Sequence, residues 1–318
     1  MKKLKVLVTG GAGFIGSHLV EYLLKRDYKV RVLDNFSSGK EENLKDLIND
    51  IELIRGDIRD KGICIKVTKN IDYVFHQAAL RSVPKSLDNP SEYNEVNIQG
   101  TLNLLEASLE NKIRCFIFAS SSAIYGEAKR FPQKEIDPAC PISPYALTKL
   151  VGEYYCRIFS KSYGLKTISL RYFNVFGPKQ ALDDEYAAVI PKFIHCLLNN
   201  KPYPVYGTGR QSRDFTYIEN VVRANLLAIK MIDRYNAGEI FNIGTGRSYT
   251  ILELIKFLNI ILNKEIKPTF LEKRPGDVFK TQADISLAKR KLCFLPKVSF
   301  LEGLKRTVSY FEERWQKK

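Results

Sequence analysis

The sequence holds no apolar run of the length that crosses a bilayer, only three histidines and only six cysteines. Each shortage excludes something. The cysteines (Cys64, Cys115, Cys140, Cys156, Cys196 and Cys293) have no close pairs, and several lie inside apolar segments such as RCFIFAS. That spacing argues against a disulfide framework or a zinc site and fits reduced, mostly buried thiols. His18, His76 and His195 are far apart in sequence, so no histidine-based metal centre is expected. Runs of five like charges and basic arms are also missing, although 50 Lys+Arg against 35 Asp+Glu give a formal net charge of +15. An excess spread this evenly, with no nucleic-acid motif beside it, does not point to a nucleic-acid partner. It would still draw a phosphorylated ligand. The start, MKKLKVLVTGG, puts basic residues before an apolar run, but the run is short and ends in glycines. It reads as a first strand rather than an export signal, so a cytoplasmic protein without membrane contact is expected.

What is present is enough for a large core: 318 residues, 45% hydrophobic and 11% aromatic. The runs LKVLVTG, YKVRVLD, IELIRGD, IDYVFHQAA, RCFIFASSS and KTISLRYFN are short, rich in β-branched and aromatic residues, and end in small or polar ones. Helical patterns lie between several of them, which predicts an α/β fold: a Rossmann-type doubly wound parallel sheet. After about residue 174 the chain becomes richer in glycine, proline and charge. This suggests a smaller C-terminal substrate-binding domain, while GEIFNIG reads as one more buried strand returning to the sheet. The expected division is residues 1–174 plus about 215–245 for the nucleotide-binding domain, and 175–214 plus about 246–318 for the other.

VTGGAGFIGSHLVEYL spaces Gly10, Gly13 and Gly16 between a strand and a helix, with Phe14 and Ile15 at the turn. Such glycines let backbone approach a pyrophosphate, and the helix N-terminus adds N–H donors and partial positive charge. Asp34 ends the next strand, near the offset at which a carboxylate takes the adenosine ribose hydroxyls and repels a 2′-phosphate, which favours NAD over NADP. Asn35, Ser37, Ser38 and Gly39 follow it, and Asp57 with Ile58 ends the third strand near the adenine. In SPYALTKL, Ser143 suits a helix N-cap and Pro144 the first helical position, placing Tyr145 and Lys149 one turn apart on one face. Taken alone, that pair is equally what an ordinary amphipathic helix shows.

TGGAGFIG, HQAA, ASSSAIYG, SPYALTK and RYFNVFGP occur in that order. Together they resemble the extended short-chain dehydrogenase/reductase family, in its NAD-dependent sugar-nucleotide epimerase/dehydratase branch. The likeness is strongest to UDP-hexose 4-epimerases, above all those acting on UDP-N-acetylglucosamine, and it covers essentially the full length. It implies that Tyr145 is the acid–base and that Lys149 holds the nicotinamide ribose and lowers the phenol's pKa. Ser121 matches the catalytic Ser/Thr, with Ser122 assisting and Ser120 beside the cofactor. Gln77, Ala78 and Ala79 match the segment running beside the cofactor, Tyr172 a residue near the nicotinamide, and Asn97 the asparagine tying the central helix to the catalytic strand. Arg81 and Ser82 open RSVPKS, which resembles a sugar-facing loop, and Arg81 also falls among the cofactor contacts. Asn174 would meet the diphosphate. Arg213, Arg274 and Asp277 match the pyrophosphate and ribose clamp, Val205 and Tyr206 the uracil side, and Val189 the same substrate wall. Homodimerisation, through the helices ahead of Gly100 and after Tyr145, is also implied.

Dehydratases of this branch carry Asp-Glu directly after the catalytic Ser/Thr, whereas this chain has Ser122 and Ala123, so elimination has no proton carrier. Thr281 falls where epimerases restricted to plain hexoses carry a bulky tyrosine, and its small side chain leaves room for an acetamido group. The expectation is UDP-GlcNAc/UDP-GalNAc interconversion, with activity on UDP-Glc/UDP-Gal. Alternatives are a UDP-glucose 4-epimerase only, a uronate epimerase, or net oxidoreduction of a sugar nucleotide with NAD exchanged each turnover. A non-catalytic NAD-binding protein fits poorly with intact acid–base residues.

Overall fold

The computed structural model describes residues 3–181, 188–232, 238–274 and 276–316. Strands β1 (Lys5–Thr9), β2 (Lys29–Asp34), β3 (Ile51–Arg55), β4 (Tyr73–His76), β5 (Cys115–Ser121) and β6 (Thr167–Tyr172) come from the six anticipated runs. The strand Glu239–Ile243 lies in GEIFNIG and pairs with β6, so the expected return of the chain to the sheet is found. All seven are parallel, in the order Glu239–Ile243, β6, β5, β4, β1, β2, β3.

Alternation along each strand explains why these runs are apolar throughout. Val6, Val8, Val32 and Phe75 face one side and join one core cluster. Leu7, Leu33, Val74 and Phe116 face the other and join a second. A parallel sheet covered by helices on both faces needs apolar residues at every position. The order reverses at β1, because the chain proceeds to β2 and β3 on one side and to β4 on the other. Beyond the carboxyl ends of the strands, such a reversal leaves a crevice.

The helix Pro144–Tyr163 starts as its sequence predicts. The Ser143 side chain accepts from the Ala146 N–H at 3.2 Å, and Pro144 fills the first turn. Gly164, at φ +75°, ends it in the left-handed conformation that glycine adopts without strain. The second half also holds the helices Val189–Leu198 and Ile251–Ile261 and the parallel strand pair Tyr203–Tyr206 and Pro268–Leu271. The Ile251–Ile261 helix opens with a reciprocal Thr250/Glu253 capping box. All six cysteines are free; Cys140 and Cys293 are exposed and the other four buried. Among the described residues no helix is long and apolar enough to cross a membrane.

Candidate active site

The crevice at the β1 switch holds a cleft of about 220 Å3. Gly10, Gly13, Phe14, Ile15 and Gly16 line it from the first loop, and Asp34, Asn35, Ser37, Ser38 and Gly39 from the second. Asp57 and Ile58 follow from the end of β3; Gln77, Ala78, Ala79 and Arg81 from the end of β4; and Ser120, Tyr145, Lys149 and Tyr172 close the far end. The loop has no room for larger residues. Gly10 sits at φ +68°, and a Cβ on it would lie 2.7 Å from the Ala78 nitrogen. A Cβ on Gly16 would lie 2.1 Å from the Gly10 carbonyl oxygen. Gly16→Ala must therefore push backbone apart. The expected outcome is a purified protein stripped of most bound dinucleotide and melting earlier, read by nucleotide release on denaturation and by thermal unfolding. Full dinucleotide content in that variant would show that the loop yields.

Asp34 is buried and does two jobs. Its Oδ2 accepts from the Ala12 N–H and its Oδ1 from the Phe36 N–H, each at 2.8 Å. Burial pushes its pKa above the usual carboxylate value against the pull of those two bonds. Asp57 moves the other way, to about 2, chiefly because the Arg59 side chain hydrogen-bonds it. Lys40, Asn43 and Lys179 also line the cleft, and none of them was singled out from the sequence. Their signal was faint: a lysine after SSG and another after GP.

Asn97 is the one candidate cofactor residue that stays out of the cleft. Its carboxamide accepts from Leu80 N at 2.8 Å, donates to Leu80 O at 2.9 Å and donates to Thr148 Oγ1 at 3.1 Å. It thus ties the loop after β4 to the Tyr145 helix, rather than the central helix to β5 as expected. Its amide groups are used up by backbone and a buried threonine, which leaves it a bracing role.

At the far end, the Ser121 side chain acts on the Tyr145 phenol, although Ser121 itself is not among the residues lining the cleft. Ser121 also caps the short turn Ser122–Tyr125, accepting from Ala123 N at 3.1 Å. Burial raises the Tyr145 pKa, while the Ser121 hydrogen bond and the charge of Arg81 pull it down. The expected help from Lys149 is not seen. The Lys149 ammonium is buried and donates to the Ala119 carbonyl at 2.8 Å, and burial lowers its pKa to about 8. The second cation near the phenol is therefore Arg81, on the loop that Asn97 braces. His76, between Thr9 and Thr101, is pushed by burial to about 3 and stays neutral. Tyr172 is held by Gln77 and by Asn225, whose Nδ2 donates to the Tyr172 hydroxyl at 2.9 Å. Asn225 lies mid-helix and escaped the sequence reading.

A second cavity, of about 260 Å3, lies beside the first. Tyr172 and Asn174, two residues apart at the end of β6, line one each, as do Arg81 and Pro84. Asn174, Val189, Val205, Tyr206, Arg213, Arg274 and Asp277 all line this second cavity. The Arg274 guanidinium stacks over the Tyr206 ring at 3.6 Å, and Arg213 pairs loosely with Asp277 at 4.0 Å. Arg213 is largely buried, which lowers its pKa. Lys192, Gln211 and the aromatic wall Phe176, Phe193 and Phe215 complete the cavity and were not anticipated. Ser82, Ser122 and Thr281 are not among its lining residues. Ser82 caps the helix Val83–Asp88, Ser122 is buried in the turn after Ser121, and Thr281 lies behind Asn174.

The NAD dependent epimerase/dehydratase family model matches residues 6–244. Among solved structures, the chain is 44% identical to a UDP-N-acetylglucosamine 4-epimerase from Methanobrevibacter ruminantium in complex with UDP-N-acetylmuramic acid. The match covers 99% of this chain and 100% of that one, with a TM-score of 0.93. It is 42% identical to the Thermotoga maritima UDP-glucose 4-epimerase with UDP-glucose, over 98% and 99% of the two chains, with a TM-score of 0.93. It is 36% identical to a UDP-glucuronic acid 4-epimerase from Bacillus cereus in complex with UDP-glucuronic acid and NAD, over 98% and 100%, with a TM-score of 0.91.

Proposed function

The chain belongs to the NAD-dependent epimerase/dehydratase family, and from that premise we propose that it is a UDP-hexose 4-epimerase acting mainly on UDP-GlcNAc and UDP-GalNAc, and also on UDP-Glc and UDP-Gal. The observation that carries this reading is that Tyr145 and Lys149 line the far end of the first cavity, beside a Ser121 followed by Ser122 and Ala123 in place of carboxylates.

NAD suits the first cavity. The missing Cβ of Gly16 leaves backbone close to where a pyrophosphate would run, Asp34 stands at the end of β2, and Lys40 and Lys179 add positive charge. Bound there, NAD would supply the acceptor and donor of a hydride for the sugar. This chain's residues supply the rest. Tyr145 accepts the C4 hydroxyl proton as hydride leaves the same carbon and returns it when hydride comes back. A phenol of pKa about 10 needs help to serve as base near neutral pH. Ser121 and the charge of Arg81 pull in that direction, while burial holds the phenol above its ordinary value. Lys149, with a pKa of about 8, keeps its proton at neutral pH and braces the nicotinamide side. In the second cavity, the planar guanidinium groups of Arg213 and Arg274 suit a diphosphate bidentately. The Val189, Val205 and Tyr206 side suits uracil. Holding UDP firmly and the hexose loosely lets the 4-keto sugar turn before hydride returns to its other face. On this reading, residues 1–174 with about 215–245 carry NAD, and 175–214 with about 246–318 carry the UDP-sugar.

Sugar choice rests on the resemblance at Thr281, a small residue where epimerases restricted to plain hexoses carry a tyrosine; it lies buried behind Asn174, which lines the second cavity. The test is incubation of the purified protein with UDP-GlcNAc and no added NAD. UDP-GalNAc accumulating to a steady ratio is the expected result. Turnover of UDP-Glc alone would keep the mechanism and overturn the sugar choice. Conversion of neither would sink the epimerase reading.

The active unit in this proposal is a homodimer. Leu147, Tyr154 and Ile158 form an exposed apolar stripe on the outer face of the Pro144–Tyr163 helix. Ile98, Pro141 and Ile142 line an open groove beside Leu147. A contiguous apolar face on a soluble chain marks an interface. Ile158→Glu is expected to shift the protein from dimer to monomer in light scattering after gel filtration. An unchanged mass would move the interface elsewhere.

A further inference from the structure

Asn174 stands at φ +23° just past β6, and its side chain lines the second cavity. A carboxamide presents an acceptor oxygen at one end and two N–H donors at the other, so its flip decides what it can bind. In this structure the oxygen end meets Thr281. The Thr281 hydroxyl oxygen accepts from the Asp214 backbone N–H at 3.1 Å. The hydroxyl's single proton is donated to Asn174 Oδ1, 2.9 Å away. The carboxamide oxygen is thereby committed, and the NH2 end is the one left for the cavity.

Thr281 is well placed to impose this. It is buried, its backbone N–H donates to Ser212 O at 3.1 Å, and its carbonyl accepts from Ser248 Oγ at 2.9 Å. Asp214 behind it is as rigid. One carboxylate oxygen accepts from Thr245 N at 2.8 Å, and the other from Gly246 N at 2.9 Å and Ala283 N at 3.1 Å. A fixed hub therefore runs through one hydroxyl to a side chain that faces ligand.

We propose that Thr281 is a positioning residue, whose hydroxyl hydrogen bond turns the NH2 of Asn174 toward the diphosphate of the nucleotide in the second cavity. The inference rests on the reading of that cavity as a UDP site. A donor aimed at an anion is the orientation that binds, whereas an acceptor there would repel it.

Thr281→Val keeps the shape and removes the proton. UDP affinity, measured by titration calorimetry on the full chain, is expected to fall about tenfold, a change of about 1.4 kcal/mol. The KM for the UDP-sugar should rise more than kcat falls. Thr281→Ser, which restores the hydroxyl, should recover most of the loss. Asn174→Asp still offers Thr281 an acceptor but turns a second oxygen to the cavity, so it should weaken UDP binding more than Thr281→Val while melting near the unaltered protein. Asn174→Asp carries the test if Thr281→Val does not fold. An unaltered chain that binds UDP, with either variant binding it equally well, overturns the inference alone. An unaltered chain that binds no UDP overturns the cavity reading and the inference with it.

Discussion

Tyr145→Phe is expected to lower turnover of a UDP-hexose by about 10²–10⁴-fold, the usual worth of a positioned acid–base group. UDP affinity and melting temperature should stay near those of the unaltered protein. The separation follows from position. Tyr145 lines the first cavity, whereas the arginines and Tyr206 line the second, so deleting one phenolic oxygen leaves the nucleotide contacts alone. The ring stays to fill its place at the start of the helix. What goes is the hydroxyl proposed as the proton carrier. The measurement is steady-state epimerisation alongside UDP titration of the same preparation. A phenylalanine variant within tenfold of the unaltered rate would mean that another group moves the proton.

The largest expected effect on stability comes from Glu153, about two turns further along the same helix. Its carboxylate accepts from Arg171 Nε at 2.9 Å and Nη2 at 2.8 Å, and the Ser120 hydroxyl also donates to it. Both charged side chains are almost wholly buried, 2% and 5% exposed. Arg171 Nη1 donates to the Tyr125 hydroxyl at 2.8 Å, and Tyr125 donates to Asn242 Oδ1 at 2.7 Å. The network thus joins the catalytic helix, β5, the turn after Ser121, β6 and the last strand of the sheet. Burial works against the Arg171 cation, but the bonds and charge of Glu153 outweigh it and hold its pKa above the ordinary arginine value. Glu153→Gln leaves that cation buried without a counter-charge, which costs about 3–5 kcal/mol. In a chain of this size the melting temperature should drop by roughly 5–10 °C. Replacing both members with apolar residues, as in Glu153→Leu with Arg171→Met, should cost less than the two single changes added together, because neither charge is then stranded. Additive losses in a thermal double-mutant cycle would argue against a coupled pair.

Legibility in the sequence followed the range over which each signal acts. The seven strands could be read because burial on both faces makes every position apolar, as in Val6, Leu7 and Val8. Gly10, Gly13, Gly16 and Asp34 could be read because a phosphate loop is a local device. The Tyr145/Lys149 pair was ambiguous by itself and took its meaning from the other motifs around it. Residues acting across the chain left no such trace. Asn225 meets Tyr172 from 53 positions away, Asp214 meets Ala283 from 69, and nothing in their neighbourhoods announces it. Asn97 was picked out correctly as a tie, but its partners depend on how the loop after β4 passes the helix, which only the folded chain determines. The charge of Arg81 beside Tyr145 escaped the sequence for a similar reason: spacing on a helix says which residues share a face and not where a long side chain ends.

Asp34 carries a lesson for anyone who would re-engineer the chain. The aspartate that would turn away a 2′-phosphate is also the clasp for two backbone turns, through Ala12 and Phe36. Selectivity between the two nicotinamide cofactors and the shape of the pocket that holds either are written into one carboxylate. Exchanging it for a neutral or basic residue removes the repulsion and unfastens both loops at once. A route toward NADP would have to supply new acceptors for those two N–H groups before the change of charge could be useful, so the preference for NAD is guarded by architecture as well as by electrostatics.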